Sequence, residues 1–372
     1  MWLVGDGDLL LIGVDGEDRE RLLTNIAKGS RDKSAAMVLE QAGVPPEAAP
    51  FFLLSLYVGG PVELGSFGRG SALQIDDRMD LEYSAARAMY APPEGGSSRL
   101  REMAEQAAHP VVVASALAAA RAEDWIVRGR IALKAEAFGM AHESFRRALA
   151  VDAGSVEALR GGASAAAPIG RLAEEIQWLK ERAVEAPRNS AVRVALSFAL
   201  AMAGDMNAAM AAALDANQIE PESPYPLEQL ASILADVGDS ARLQPVAEAL
   251  MTRFPGREDS RYYNATSLFL RNRMAEAQAE TSRLLALNPK HARGHNLRGI
   301  LCATAKDLSC ARSAFDASLK LNPRDASVYT NLGNIHLELG NPEEAISLFS
   351  EAVAIDPTAA AAKEALRAIA PY

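Results

Sequence analysis

From about residue 122 onward, the chain alternates between helical apolar patterns and short polar turns. Turns such as Ala203-Gly204-Asp205 and the Leu-Gly-Asn-Pro run over 339–342 interrupt the helical pattern midway between prolines that end it. Proline ends a helix because it lacks an N–H and its ring clashes with the preceding turn. The pattern therefore predicts consecutive pairs of helices.

The prolines that end these pairs recur every 34 residues, at Pro187, Pro221, Pro255, Pro289, Pro323 and Pro357. An internal repeat of this length indicates stacked copies of one supersecondary unit. Extending the interval in both directions predicts seven units, over 122–155, 156–189, 190–223, 224–257, 258–291, 292–325 and 326–359. Residues 360–372 are predicted to form a capping helix that covers the last open face.

The last unit resembles a tetratricopeptide repeat (TPR), a helix–turn–helix unit with this period. The residues that carry the resemblance are Tyr329, Leu332, Gly333, Ala345, Phe349, Ala352 and Pro357. The preceding unit matches at Gly299, Ala311, Phe315 and Pro323, and the first unit at Trp125, Gly129, Ala141, Phe145 and Ala148. The resemblance implies a mainly α protein, built as a TPR-type α–α superhelix.

Each residue type in this motif has a physical reason. Glycine and alanine are expected where two helices touch, because a larger side chain would hold the backbones apart. Aromatic residues fill the space between one hairpin and the next. Units two to five depart from the motif, since Glu175 and Leu243 stand where a small second-helix alanine is expected. The inner repeats are therefore degenerate.

The first ninety residues follow a different pattern. β-type runs over 2–5 and 9–13 flank Asp6-Gly7-Asp8 and predict an N-terminal β-hairpin. Helices are predicted near 17–28, 32–42 and 46–58, before a glycine-rich stretch over 59–70 and a linker over 92–98. We expect a small mixed α/β segment over 1–93 and a helical linker over 94–121. Because a lone hairpin is marginal in water, this segment is expected to be the end of a larger domain.

Residues 2–87 resemble the C-terminal tail of bacterial spermidine synthase-like proteins, which are polyamine aminopropyltransferases. The matching residues are Trp2, Asp6 to Gly13, Asp76, Asp77, Arg78, Leu81, Glu82, Tyr83, Ala85 and Arg87, while Met79 and Ala86 replace family prolines. The resemblance implies a family-motif loop at Asp76, Asp77, Arg78, Glu82 and Arg87. The catalytic elements of that family precede the hairpin, so the resemblance also implies an upstream catalytic domain.

The acidic residues of this loop allow two interpretations. Asp76 and Asp77, together with Glu82, could attract a metal ion or an amine. Alternatively, Arg78 and Arg87 neutralise these carboxylates in a structural loop, which is the interpretation that we adopt.

Two further pairs of residues invite a chemical interpretation. His291 and His295 have the i,i+4 spacing that presents two imidazoles on one helix face, but no carboxylate or cysteine partner is evident. A structural role is therefore predicted for both. Cys302 and Cys310 fall on the two helices of one unit and are predicted to be small buried apolar residues rather than a redox pair. The sequence predicts no catalytic residue, metal or cofactor.

The charge and hydropathy of the chain argue against two classes of partner, nucleic acid and the lipid membrane. The net charge is −10, whereas binding to nucleic acid or to an anionic lipid surface needs clustered Lys and Arg. The longest apolar runs, over 51–60 and 111–120, reach half of the ~20 residues that a membrane helix needs. We expect no nucleic-acid partner and no direct membrane insertion. A cytoplasmic protein is predicted, or the cytoplasmic part of a larger membrane-associated protein.

The TPR resemblance places the binding residues on the first helix of each unit. In that family the second, fifth, sixth and ninth positions of the first helix face a concave groove. In this chain these positions give Tyr225, Gln229, Tyr262, Tyr263, Arg293, Asn296, Asn331 and Asn334. Amides can pair with an extended peptide backbone, and tyrosines offer rigid contact area or, alternatively, pack between helices. The lysine-rich clamp for C-terminal carboxylates is not matched.

These observations predict a scaffold that binds a protein or peptide partner in the groove and has no catalytic site of its own. The alternative is the accessory C-terminal region of a spermidine synthase-like aminopropyltransferase whose catalytic core lies upstream. A stand-alone enzyme is a third class, which the lack of a catalytic residue arrangement disfavours.

Overall fold

Among the residues that the structure describes, helices make up nearly all of the regular structure. The structure, a computed structural model, describes residues 19–57 and 109–369 together with the strand residues 2–3 and 9–10. Nineteen helices lie within these residues, which confirms the mainly α fold class. Within the same residues, no helix combines the length and the apolar character needed to cross a membrane.

Seven pairs of consecutive helices follow one another from Ala122, and each is numbered below by its place in this order. Their first helices are α5 (Ala122–Lys134), α7 (Val156–Ala166), α9 (Ser190–Met202), α11 (Pro224–Asp236), α13 (Glu258–Leu270), α15 (Ala292–Thr304) and α17 (Ala326–Glu338). Their second helices are α6 (Phe138–Val151), α8 (Leu172–Glu185), α10 (Met206–Ile219), α12 (Ser240–Arg253), α14 (Met274–Leu287), α16 (Leu308–Leu321) and α18 (Pro342–Ile355). Every first helix begins at the first residue of a predicted unit.

Local sequence signals explain where the second helices begin and end. Asp205, Asp239 and Asp307 precede α10, α12 and α16. Each carboxylate accepts a hydrogen bond from the N–H three residues on, at 3.1, 2.9 and 3.0 Å. This contact satisfies one of the free N–H groups at a helix start. From α8 onward, each second helix ends two residues before a periodic proline, which cannot continue it.

Two dipeptide strands lie at the start of the chain. β1 (Trp2–Leu3) and β2 (Leu9–Leu10) pair antiparallel, with Trp2 opposite Leu10. Two residues per strand are too few to support the predicted β-hairpin as an element of the fold, so that part of the predicted fold class remains unsupported.

The chain divides into two compact units, Met1–Ala203 and Gly204–Tyr372. The first unit contains α1 (Arg19–Gly29), α2 (Lys33–Gln41), α3 (Ala49–Ser55), α4 (Val111–Ala118) and the helices α5 to α9. The second unit contains α10 to α18 and α19 (Ala360–Ile369). Helices α1, α2 and α3 overlap the three helices predicted for the N-terminal segment.

In the first unit, the N-terminal helices pack on the first hairpin. Leu23, Leu54 and Val113 bring α1, α3 and α4 into one apolar cluster. The ring of Phe51 meets the ring of Trp125 on α5 edge to face, with centroids 4.8 Å apart. These helices thus cover the outer side of the first repeat. The predicted domain boundaries at 93 and 121 remain a prediction.

Glycine permits close contact between the two helices of a hairpin. A Cβ added at Gly129 would lie 2.7 Å from the ring of Phe145, and one at Gly299 would lie 2.4 Å from the ring of Phe315. Gly333 faces Phe349 in the same way, at 2.7 Å. Such distances are shorter than any real carbon contact, so a side chain there would force the helices apart.

Glu175, which replaces a small alanine of the motif, is accommodated by compensating changes in the first unit. Its carboxylate is 1% exposed and accepts from Arg146 Nη2 at 2.7 Å and pairs with His142 Nε2 at 3.1 Å. Gly162 leaves room for Glu175, because a Cβ there would lie 3.2 Å from its Oε1. Trp178 lies under the Arg146 guanidinium at 3.5 Å. A buried ion pair with a cation–π contact thus occupies the site of a small residue.

The second unit ends in a helix that packs on the last hairpin. Ala362 of α19 is fully buried among Phe349 and Ala352 of α18, and Leu366 and Ile369 pack against the same cluster. Helix α19 therefore covers the apolar side of α18.

Candidate functional site

All eight residues predicted for the groove lie in the second unit, on α11, α13, α15 and α17. Successive helices of this series contact one another. The side of these four helices that carries the eight predicted residues is called the first-helix face below. Across it, Asn331 Nδ2 on α17 donates to Asn296 Oδ1 on α15 at 3.4 Å. Residues 35 positions apart therefore meet on the same face.

Arg293 is the centre of a polar and aromatic cluster on this face. Its guanidinium lies 4.6 Å from the ring centroid of Tyr262, and its Nη1 donates to Tyr263 Oη at 2.9 Å. Nη2 forms an ion pair with the Asp259 carboxylate. The side chain is nevertheless 44% exposed. Arg293 is thus held in one orientation while part of its donor edge faces solvent.

The cluster changes the acid–base behaviour of its members. Burial raises the pKa of Tyr262 to about 12, although the nearby Arg293 charge opposes this. Burial also lowers the pKa of His291, with the Arg293 charge acting in the same direction. The neutral imidazole can therefore accept, and its Nδ1 does so from the Gly294 N–H at 2.9 Å.

A second arginine cluster precedes the first one along this face. Arg257 lies 5.1 Å from the ring centroid of Tyr225 and forms an ion pair with Glu228, in which Nη2 donates to Oε2 at 3.1 Å. In both clusters, an arginine at the start of one first helix covers a tyrosine of the preceding first helix and pairs with a carboxylate of that same helix. These contacts fix the tyrosines and join consecutive first helices.

Exposure separates the eight residues into two groups. Gln229 and Tyr263 are only 4% and 3% exposed, so they lie below the surface. Tyr225, at 40%, is the most open of the tyrosines. On α15 and α17, Asn296 and Asn331 are half-buried and Asn334 is exposed. The accessible amides are therefore concentrated on the last two first helices.

The carboxylate partners on this face were not among the predicted site residues. Asp259 and Arg293 occupy the same position of consecutive first helices, 34 residues apart. The sequence therefore contains a signal for this ion pair, namely opposite charges that lie one repeat period apart. The pairing of Arg257 with Glu228 has no such constant interval, because the two residues lie 29 positions apart.

The two predicted histidines have the structural roles expected of them. His291 caps α15, and His295 Nε2 is hydrogen-bonded to the Pro289 carbonyl oxygen at 2.9 Å. In the described part of the chain, no group of three or more His, Cys, Asp or Glu side chains could hold a metal ion.

The prediction for the cysteines was wrong. Cys302 and Cys310 form a disulfide, with their Cα atoms 5.8 Å apart, and both are half-buried. The short turn between α15 and α16 brings them together. The prediction treated them as two separate apolar residues and did not consider this contact.

The family-motif loop lies outside the residues that the structure describes. Its members Asp76, Asp77, Arg78, Glu82 and Arg87 all fall between 58 and 108. Their predicted roles remain predictions.

Comparison with known proteins supports the repeat assignment. Residues 126–190 and 307–360 match the tetratricopeptide repeat family, and these matches lie in both compact units. No curated protein matches the chain.

Several solved structures resemble this fold. A tetratricopeptide repeat protein from Parabacteroides merdae shares 15% identity with a TM-score of 0.51, over 67% of this chain and 98% of that chain. TTC0263, a thermophilic TPR protein from Thermus thermophilus, shares 18% identity with a TM-score of 0.45, over 49% of this chain and 100% of that chain. YrrB, described as a TPR protein with an unusual peptide-binding site, shares 18% identity with a TM-score of 0.31, over 50% of this chain and 96% of that chain.

At this identity the likeness to the Parabacteroides protein concerns the fold alone. Together with the matched segments, this likeness supports a protein built from tetratricopeptide repeats.

Proposed function

We propose that the protein is a scaffold that binds an extended segment of a protein partner on the first-helix face of its second unit. The observation that carries this proposal is the meeting of Asn296 and Asn331 across neighbouring repeats, at 3.4 Å, beside the exposed Asn334. Three amides on one face form a row of donors and acceptors that neighbouring side chains leave at least partly exposed.

Amide side chains suit a peptide backbone because each offers both a donor and an acceptor. The contact between Asn331 Nδ2 and Asn296 Oδ1 leaves the Asn296 NH2 group and the Asn331 carbonyl oxygen to bind a ligand. A peptide lying across α15 and α17 would meet complementary groups at each step. Its affinity would come from main-chain hydrogen bonds, and its specificity from the side chains that flank the row.

The two arginine clusters lie on the preceding first helices of the same face, one of them sharing α15 with the row. Tyr225 and Tyr262 are each covered by an arginine that pairs with a neighbouring carboxylate. Rigid, partly exposed aromatic groups of this kind give contact area at a low entropic cost. The face therefore combines a row of amides with partly exposed tyrosines, which suits an extended peptide better than a small molecule.

The test uses a peptide selected from a random phage-displayed library against the wild-type protein. Its affinity is compared for the wild type and for the triple variant Asn296→Ala/Asn331→Ala/Asn334→Ala by fluorescence anisotropy. Two or three lost hydrogen bonds of about 0.5–1.5 kcal/mol each should weaken binding on the order of 10- to 100-fold.

The matched control is Gln278→Ala, which removes an exposed amide from the second helix α14. We expect this variant to bind like the wild type, and both variants to retain the helical circular dichroism signal. Wild-type affinity in the triple variant, or a library that yields no binding peptide, would contradict the proposal.

The more specific predictions have no such support. Residues 2–87 lie outside the segments that match the tetratricopeptide family, and nothing favours the spermidine synthase-like alternative over a scaffold. An upstream catalytic domain and a cytoplasmic location likewise remain predictions.

A further inference from the structure

The sixth hairpin carries a disulfide at positions where the adjacent hairpins have other residue types. One period before and one period after Cys310 stand Glu276 and Glu344, and both are exposed. A cysteine that served only to fill the core would occupy a buried position such as Ala311, which is 0% exposed. Cys310 is instead half-buried, at a position whose equivalents in the neighbouring hairpins are exposed, so the residue is partly open to solvent.

Cys302 differs from its partner in its surroundings. It packs against the apolar cluster around Phe315, and its equivalent in the fifth hairpin is the buried Leu268. The disulfide therefore joins a half-buried residue of α15 that packs on the apolar cluster to a half-buried residue near the start of α16.

The hairpin turn does not need this bond in order to form. The Asp307 N–H donates to the Cys302 carbonyl at 3.0 Å. The fifth hairpin closes in the same way, from Arg273 to Leu268 at 2.9 Å, without any disulfide. Equivalent turns thus fold with backbone hydrogen bonds alone, and the disulfide is an additional constraint on the sixth hairpin.

This constraint acts on the helix that carries the centre of the first-helix face. Helix α15 presents Arg293 and Asn296, and the turn that follows it is joined to α17 by the ion pair of Lys306 with Glu338, at 3.3 Å. Any change in the rigidity of α15 therefore reaches both the arginine cluster and the amide row.

We propose that Cys302 and Cys310 form a reversible redox site that sets the rigidity of α15 and thereby the affinity of the first-helix face. The effect on affinity rests on the proposed function. A dithiol reductant attacks one sulfur as its thiolate, forms a mixed disulfide, and its second thiol then releases the protein. The protein disulfide gains two electrons and two protons and becomes two thiols, while the dithiol reductant is oxidised to a disulfide. Oxidised glutathione reverses the reaction by the same exchange.

The first measurement concerns the redox site alone. Wild-type protein is equilibrated with oxidised glutathione or with dithiothreitol, its thiols are counted by alkylation and mass spectrometry, and backbone hydrogen exchange is then measured. We expect no free thiol in the oxidised protein and two in the reduced protein. Reduction should accelerate exchange in 292–321 about tenfold and leave 224–253 unchanged, since local openings are governed by local constraints.

The second measurement uses the library-selected peptide. Reduction should weaken its binding several-fold in the wild type, whereas the affinity of Cys302→Ser/Cys310→Ser should not respond to reductant. Free thiols after oxidation, or exchange in 292–321 that is unaffected by reduction, would overturn the redox site whether or not any peptide binds. Faster exchange with unchanged peptide affinity would overturn the link to the first-helix face. Absence of a binding peptide, with a redox-dependent exchange rate, would contradict the proposed function instead.

Discussion

Substitution of Gly299 by alanine tests the close glycine–phenylalanine packing of the sixth hairpin. A Cβ at this position would lie 2.4 Å from Cε1 and 2.5 Å from Cδ1 of Phe315. The ring is only 1% exposed and is enclosed by Val328, Leu332 and Ile335. It therefore cannot swing into solvent to make room, and α15 must move away from α16.

Two opposing effects set the size of the change. Alanine favours a helix over glycine by about 1 kcal/mol. Overpacking of a close-packed core costs about 1–3 kcal/mol, and an overlap this severe belongs at the upper end. We therefore expect Gly299→Ala to lower the free energy of unfolding by roughly 2 kcal/mol.

The assay is urea denaturation followed by circular dichroism, applied as a double-mutant cycle. Phe315→Leu removes the ring, so the glycine substitution should cost much less in Gly299→Ala/Phe315→Leu than in the wild type. Gly256→Ala is the control, because an added Cβ there meets nothing within 4 Å. A Gly299→Ala variant as stable as the wild type, or more so, would refute the packing argument and leave only helix propensity.

Three further predictions concern other parts of the molecule. Because the pKa of Tyr262 is raised to about 12, one tyrosine should ionise well above the ordinary pKa of about 10 in an absorbance titration, and Tyr262→Phe should abolish that step. The folded state keeps this proton after the unfolded state has lost it, so Tyr262 contributes its full stability below pH 10 and loses it as the pH rises towards 12. Glu175→Ala should destabilise the first unit by about 3 kcal/mol in urea denaturation, because Arg146 and His142 lose their buried carboxylate. Phe51→Ala should cost about 3 kcal/mol and accelerate hydrogen exchange in α3, since the ring packs on the first hairpin.

Each of these predictions has a contradicting result, and the two stability predictions also have a matched control. A high-pH step that persists in Tyr262→Phe would show that another tyrosine is responsible. Glu174→Ala, on the same helix but 71% exposed in its side chain, should be nearly neutral, and an equal loss in both variants would contradict the buried-pair argument. Val38 is 65% exposed on α2, so Val38→Ala should leave α3 exchange unchanged. Unchanged exchange in Phe51→Ala would contradict the docking of α3 on α5.

The repeat architecture could be predicted closely because its signals are local and periodic. Proline ends a helix wherever it stands, and a 34-residue interval fixed the start of every first helix, from 122 to 326. Phe315 and Phe349 were predicted to fill the space between hairpins, and each also lies against the glycine of its own hairpin. Short-range rules of this kind need no knowledge of the rest of the fold.

The burial of the site residues depended on contacts that no periodic pattern encodes. Gln229 and Tyr263 occupy expected groove positions, yet each is almost fully covered. The disulfide depended on the geometry of one turn, because cysteines eight residues apart on a single continuous helix would not meet as these do. The docking of Phe51 on Trp125 joins residues 74 positions apart, and nothing in either local sequence indicates the pairing.

The most direct test of the central claim is to locate a bound peptide on the protein. The library-selected peptide, synthesised with a benzophenone group, is photo-crosslinked to the oxidised wild-type protein, and the adducts are mapped by mass spectrometry. Adducts are predicted on the first helices, within 258–270, 292–304 and 326–338. Adducts confined to the second helices, within 274–287, 308–321 and 342–355, would contradict the claim that the first-helix face binds the partner.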